Sequence, residues 1–554
     1  MTAEHPFQFS KKIFYLLIGT GIIVNATGLF NEILEPDSAL YATIAKQIAL
    51  SNDWINLYGD GSDWLDKPHF PFWMAALSFK VFGINAFAYK LPAFLFWLAG
   101  TRFTYLLTRL LFNETAAALA VVVYITSLHT VIANFDVRAE AYLTCCIVAA
   151  IYYMCRTDEN KKLSHIVLAA LFTACAVMTK GIFILCTVAG GHVLYWIIKK
   201  DWKQFIKYKW WLLLLLTFVF ILPELYCLYV QFDMHPEKIV FGKANVSGIR
   251  FFFWDSQFGR FFNTGPIKGT GDKTFFLHTT LWAFLPWAIL FYTAIIFFIR
   301  RKIPLQKTHS IIYGGAAITF LLFSLSSFQL PHYIIIIFPQ FSILTAAFLF
   351  NYLQNNKIMG RIIVLQSALI IILALALSAL IFISNFSYPI ICASLVLVTA
   401  FLSVVLFRKK MIENIMIRGM AFALILCFFL NLYFYPNILQ YQSGMLASAW
   451  LKKNKVTEPV AMYKTFSYSF EFYAPVGIQR INDENILQQY LLDKPFVIYT
   501  SAENIPELTA KHYKVDVLNT FDHFPVSRLD LKFINYKTRE TSLKKIVLAR
   551  VSPE

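Results

Sequence analysis

Apolar stretches long enough to cross a bilayer recur along the first four-fifths of the chain, divided by short polar loops. A spanning helix needs about 20 mostly apolar residues. Runs that meet this need fall near 13–30, 90–112, 115–133, 139–155, 163–179, 182–198, 210–230, 276–299, 311–327, 332–353, 362–384, 388–407 and 417–435. Three regions break the pattern: the loops 31–89 and 231–275, and the tail 437–554. Within the first loop, 38–50 reads as a short amphipathic helix with Leu40, Ile44 and Ile48 on one face, and 71–82 as a second, rich in Phe and Trp. Both suit a position in the interface plane. In the tail, 459–462, 495–499 and 545–549 read as strands, and 446–453, 484–491 and 504–511 as helices between them. The expected fold is thus a polytopic α-helical membrane protein of about thirteen spans, over 1–436, with a C-terminal soluble α/β domain over 437–554.

The basic residues orient this pattern. With the N-terminus in the cytoplasm, the inner loops carry Arg156, Lys161 and Lys162; Lys199, Lys200, Lys203, Lys207 and Lys209; Arg300, Arg301, Lys302 and Lys307; Lys357 and Arg361; and Arg408, Lys409 and Lys410. The short outer loops 327–331 and 384–387 carry none. This is the positive-inside bias, and an odd helix count then places the tail outside the cytoplasm.

Composition agrees. Of 554 residues, 58% are hydrophobic and 15% charged, against about 45–50% and 25% for soluble domains. The net charge of +17 lies in loops between apolar runs and sets orientation, so nucleic acid is not an expected partner. The eight cysteines fall inside apolar segments without metal-ligand spacing, as inert buried thiols do. Lys11 and Lys12 precede the first apolar run, which lacks a small-residue cleavage site and reads as a retained helix.

Charged residues gather where the outer loops meet the spans. Asp37 follows the first helix and is either a general base at the membrane face or the N-cap of the next helix. Lys67, between Asp66 and Pro68, is suited to a lipid-linked phosphate, or is a snorkelling lysine paired with Asp66. Asp136, Arg138 and Glu140 open the fourth span, where ionisable groups are costly. Lys180 ends a span, and Arg260 can fork onto a phosphate. The neighbouring 265–274, with three glycines, reads as a mobile loop. His332 and Tyr333 start the tenth span as ligands or interfacial anchors. Glu224, after Pro223, reads as a buried structural acid. No phosphate-cradling glycine loop occurs, which disfavours ATP or a nucleotide sugar. A lipid-linked transporter remains the alternative from another class; it calls for charge near mid-membrane, and the runs are apolar there.

Taken together, Glu35-Pro36-Asp37…Tyr41, Asp66-Lys67-Pro68…Trp73, Arg138-Ala139-Glu140, Thr179-Lys180-Gly181 and Leu330-Pro331-His332-Tyr333 resemble the clan C (GT-C) polyprenyl-phosphate-dependent glycosyltransferases. The nearest likeness is to the bacterial lipid A aminoarabinose transferases (ArnT-like), with protein O-mannosyltransferases further off. The resemblance covers residues 1 to about 440. It implies an inverting transfer from an undecaprenyl-phosphate sugar to an envelope acceptor, lipid A or another glycan, with a protein acceptor as the alternative. It makes Asp37 the base and Glu140 a second catalytic carboxylate. Lys67, helped by Arg260, holds the carrier phosphate, and Asp66, Tyr41, Arg138, Lys180, His332 and Tyr333 line the substrate site. One departure stands out: the family's Asp-Glu-x-Arg-Tyr is Asp37-Ser38-Ala39-Leu40-Tyr41 here, without the second acid and the arginine. No cofactor is expected; a divalent ion on Asp37, Asp63 and Asp66 is the less favoured option.

Overall fold

The computed structural model describes residues 10–160, 162–300, 306–351, 356–405, 411–475, 477–483, 486–487 and 495–553. Each apolar run expected to span is mostly helical over its described part, with breaks inside some of them. Among the described residues, seven helical stretches are long and apolar enough to cross a membrane by themselves, and an eighth if one bent pair counts as a single span, fewer than the thirteen expected. The inner-loop residues Lys161, Arg301, Lys302, Arg408, Lys409 and Lys410, and all but two residues of the helix expected over 484–491, lie outside the described residues.

Polar side chains survive in these helices by bonding to their own backbone. Thr101, Thr104 and Thr108 each donate to the carbonyl four residues back, at 2.9, 2.8 and 2.7 Å. Two of the expected spans are broken. Glu114–Ile125 and Leu128–Phe135 meet at 57°, and the freed groups are satisfied locally. Leu128 N–H donates to the Leu285 carbonyl at 2.9 Å, and Trp287 Nε1 to Thr126 Oγ1 at 2.9 Å. The run 276–299 divides into Phe275–Ala283 and Ala288–Arg300 around Pro286, which has no N–H to give a helix. Charge also enters the helices more deeply than the sequence suggests. Arg418, buried within Met411–Cys427, donates to Ser367 Oγ, Asn414 Oδ1 and the Val404 carbonyl. On the side away from the polar loops, half-buried Asp158 takes Lys209 at 2.6 Å and Lys307 at 2.5 Å.

The two helices of the first loop form as expected, over Asp37–Ser51 and Phe70–Phe82. The second leaves Leu77, Val81 and Phe82 exposed, as an interfacial helix would. The first does not lie on an open interface. Its supposed outer face carries Ala42, Ala45 and Ala49, all buried. Such small side chains admit a second layer, and the tail helix Tyr468–Tyr473 packs there. A two-residue hairpin, β1 (Tyr58–Gly59) and β2 (Ser62–Asp63), follows in the same loop.

The tail is a five-stranded mixed sheet. Its strands are β3 (Val460–Tyr463), β4 (Ile478–Ile481), β5 (Phe496–Ser501), β6 (Tyr513–His523) and β7 (Lys544–Pro553), in the order β4-β3-β5-β7-β6. β3 runs parallel to β4 and β5, and β7 antiparallel to β5 and β6. The helices Ser443–Lys453 and Ile505–Ala510 stand where expected. β4 and β6 are additions to the sequence reading.

Candidate active site

Helix ends converge on one side of the membrane domain. Asp37 opens Asp37–Ser51 and Glu140 opens Glu140–Asn160. Lys180 closes Leu163–Lys180, and Arg260 follows the wide helical turn Phe251–Gly259. His332 and Tyr333 lie in the tight helix Pro331–Ile337. An ionisable group at a helix end reaches a polar cleft without crossing the apolar layer, so these positions carry the charge. Gly181 turns the chain after Lys180: its φ is +96°, and a Cβ there would lie 2.2 Å from the end of the Gln257 side chain. The positive φ calls for glycine, and a side chain there would also displace the Gln257 amide.

The charges form two groups. In the first, Arg138 joins Asp37 at 2.8 Å and Asp136 at 2.9 Å, and meets His332 Nδ1 at 3.3 Å. His332 Nε2 stands 3.7 Å from Glu140, whose carboxylate also takes Lys180 at 3.3 Å. The Lys180 ammonium lies over the Tyr333 ring, 3.6 Å from its centre. In the second group, Asp66 is held between Lys67, at 2.8 Å, and Arg260. A narrow cleft lined by Trp64, Asp66, Lys67, Lys180, Gln257 and Arg260 reaches from the second group to the Lys180 of the first. The Arg260 Nε, buried beside it, has no partner among the described residues. Tyr41 packs edge-on to Phe72 and to Trp64, which lines the cleft.

Electrostatics separate the two carboxylates. Burial lifts the Asp37 pKa above the ordinary carboxylate value and outweighs the downward pull of Arg138. Burial also works upward on Asp66, but Lys67 and Arg260 overcome it and hold the group at about 2. Burial lowers the Lys67 pKa against the pull of Asp66. Asp66 is therefore held as an anion between two cations, while Asp37 keeps 40% of its side chain exposed.

The structure gathers all ten residues singled out from the sequence: Asp37, Tyr41, Asp66, Lys67, Arg138, Glu140, Lys180, Arg260, His332 and Tyr333. Asp37 begins its helix, but no side-chain cap bond is formed there. Glu224 is fully buried and binds His69 Nδ1 at 2.9 Å, while His69 Nε2 faces the Ile55 carbonyl at 2.9 Å. Both ring nitrogens face acceptors, and the Glu224 carboxylate raises the ring's pKa in spite of burial. The segment 265–274 is not a free lid. A Cβ on Gly269 or Gly271 would lie 2.7 or 2.4 Å from the Ser327 or Ser326 carbonyl, so these glycines serve close approach, and Asp272 N–H donates to Gln329 Oε1 at 2.9 Å. Sequence reasoning missed Gln257, which accepts from Phe183 N–H and donates to the Lys180 carbonyl; an amide in a polar loop gives no signal of its own. Each carboxylate considered for a divalent ion is engaged by a cation: Asp37 by Arg138, Asp66 by Lys67 and Arg260, and Asp63 by Lys238 at 2.8 Å.

Comparison with known proteins gives the same direction. The family model for dolichyl-phosphate-mannose-protein mannosyltransferase matches residues 66–227. An uncharacterized protein of Aquifex aeolicus is 26% identical over 481 residues, 86% of this chain and 89% of its own. An undecaprenyl phosphate-alpha-4-amino-4-deoxy-L-arabinose arabinosyl transferase of Pseudomonas fluorescens is 23% identical, over 63% of this chain and 59% of its own. The chain thus spans less than two thirds of that curated relative. ArnT from Cupriavidus metallidurans, in its structure bound to undecaprenyl phosphate, matches with a TM-score of 0.75 over 98% of both chains at 17% identity, which is a likeness of fold. The chain is thus a membrane protein with the fold of ArnT, similar in sequence to the arabinosyl transferases and, over residues 66–227, to the mannosyltransferase family model.

Proposed function

We propose that the chain transfers a sugar from an undecaprenyl-phosphate-linked donor to a lipid or glycan acceptor of the cell envelope, at the outer face of the inner membrane. The observation that carries the reading is the convergence of Lys67 and Arg260 on Asp66, in a cleft that also reaches Lys180. Two cations with one counter-anion favour a phosphate, and arginine adds a bidentate fork. The undecaprenyl phosphate in the printed names of the arabinosyl transferases and of the ArnT structure supports the carrier. The alternation of basic and uncharged loops supports the outer face.

The chemistry follows from the pKa difference. Asp37 accepts the proton of the acceptor hydroxyl or amine as its lone pair attacks the anomeric carbon. The bond from that carbon to the carrier phosphate breaks, and its electron pair leaves on the phosphate oxygen. Lys67 and Arg260 balance the charge that develops there. A single displacement inverts the anomeric centre. The raised pKa of Asp37 makes it a stronger base than an exposed aspartate, and Arg138 fixes its direction. Positive charge at the phosphate comes from side chains, so neither a metal nor another cofactor enters this reading.

A protein acceptor is the second reading, favoured by the mannosyltransferase family model over residues 66–227. The test is turnover by purified protein in nanodiscs. Undecaprenyl-phosphate sugars and nucleotide sugars serve as donors, and lipid A and a serine/threonine-rich polypeptide as acceptors. Transfer from the lipid-linked donor to lipid A is the expected result. Transfer to the polypeptide alone selects the second reading, and transfer from the nucleotide sugar overturns both.

A further inference from the structure

The segment that delivers Asp37 is gripped from two sides. From the membrane domain, the fully buried Lys90 Nζ donates to the carbonyls of Gly28, Asn31 and Glu32 at 3.1, 2.8 and 3.2 Å. From the other side comes the C-terminal domain. Gln442 accepts the Glu35 N–H at 3.0 Å and donates to the Ile33 carbonyl at 2.9 Å. The Tyr473 hydroxyl accepts the Ile33 N–H at 2.8 Å. The Glu35 carboxylate accepts from the Ser467 hydroxyl at 2.7 Å and from the Ser469 N–H at 2.5 Å. Further along the same loop, Lys46 donates to the carbonyls of Glu471, Phe472 and Ala474 at 2.8, 2.9 and 3.0 Å. The short helix Tyr468–Tyr473 therefore has the Glu35 anion at its start and the Lys46 cation at its end.

Both clamp residues are covalently close to Asp37. Glu35 stands two residues before it, and Lys46 lies in the helix that Asp37 opens. The seat is tight: a Cβ on Gly444 would fall 2.2 Å from Ser467 Oγ. The cluster of Lys67, Asp66 and Arg260 is separate: among the described residues, its ion pairs and ring contacts involve no residue of the C-terminal domain. A disturbance of the clamp thus reaches the proton acceptor and leaves the donor's anchor in place.

We propose that the C-terminal domain is a working part of the active site, in which Glu35 and Lys46 are positioning residues that let the helix Tyr468–Tyr473 set the Asp37 carboxylate against the reacting centre. The inference rests on Asp37 as the base and adds to that reading a role for the domain. It predicts a split between turnover and donor binding that ordinary packing would not give.

The experiment uses the full chain in nanodiscs, as wild type, Glu35→Ala, Glu35→Gln, Lys46→Met and the double variant Glu35→Ala/Lys46→Met. In Glu35→Ala and Lys46→Met, amide hydrogen exchange over residues 31–40 should rise. Their kcat should fall about ten- to a hundredfold, the scale of a small misplacement of a reacting group, with undecaprenyl phosphate affinity unchanged. Glu35→Gln should recover most of the loss, because its amide oxygen accepts from the same two donors. The double variant should lose less than the sum of the singles, since both act through one helix. Unchanged kcat in both single variants overturns the proposal, as does equal loss of donor affinity and turnover. If the wild type uses no lipid-linked donor, the function proposed above fails. The exchange measurement then stands alone: a rise over 31–40 supports the clamp, and its absence refutes it.

Discussion

Replacement of Lys67 by alanine isolates the contact on which the carrier assignment depends. Lys67 has 18% of its side chain exposed and reaches Asp66 at 2.8 Å. After its loss, Asp66 keeps Arg260 as a partner, so the acid is not left buried and unpaired. The fold should therefore persist, while a phosphate in the cleft loses one of two charge-assisted bonds. Such a bond contributes about 1.5–3 kcal/mol, or on the order of ten- to a hundredfold in affinity. The assay is equilibrium binding of undecaprenyl phosphate to purified protein in nanodiscs, with kcat/KM measured in parallel. Lys67→Arg should recover part of the affinity, since charge survives while the point geometry does not. Lys238→Ala is the control. Lys238 also pairs with an acid of the same loop at 2.8 Å and is 23% exposed, yet it does not line the cleft. Equal losses in Lys67→Ala and Lys238→Ala would mean a general charge effect. No loss in Lys67→Ala would remove the phosphate from this site.

Asp37→Asn should lower kcat by about 10²–10⁴-fold with undecaprenyl phosphate binding retained. In the wild type, kcat should fall as pH drops through a value above the ordinary aspartate pKa, because burial raises it; a wild-type profile flat across that region would argue against Asp37 as the base. The His69–Glu224 pair should make stability pH-dependent. A raised histidine pKa contributes stability that is complete below about 6.5 and is lost as pH rises through the folded-state value. Melting curves of wild type should show this decline, and Glu224→Gln should be less stable by about 3–5 kcal/mol with the decline removed. For topology, a cysteine placed at the exposed Glu503 should react with an impermeant thiol reagent from the periplasmic side; labelling only from the cytoplasm would reverse the proposed orientation.

Much of the site was legible because membrane helices leave charge little choice of place. Asp37, Glu140, Lys180 and His332 stand out as ionisable groups at the ends of apolar runs, and helix ends are where the structure uses them. The breaks at Thr126–Ser127 and around Pro286 were less visible, since the apolar runs continue through them and only Pro286 signals an interruption. The helix Asp37–Ser51 was read as interfacial because Leu40, Ile44 and Ile48 mark one face. The layer that covers the other face comes from residues 468–473, and no local pattern announces a partner so distant in sequence. β4 is short and carries Gln479 and Arg480, which hide it. β6 alternates along an exposed edge, a pattern that could have been recognised.

The balance around Asp66 also bears on the pace of the cycle. One carboxylate between Lys67 and Arg260 leaves the empty cleft with one unit of positive charge. A sugar donor is a phosphodiester with one negative charge, and it brings this group to neutrality. The spent carrier is a monoester and can bear a second negative charge, while the same two cations still face it, Arg260 with an Nε that has no partner among the described residues. On the proposed reading, the cleft grips the product at least as firmly as the substrate, so departure of the discharged lipid, rather than bond-making, governs steady turnover. Added undecaprenyl phosphate would then inhibit competitively with respect to the donor, and a pre-steady-state burst of transferred sugar would precede the slower steady phase.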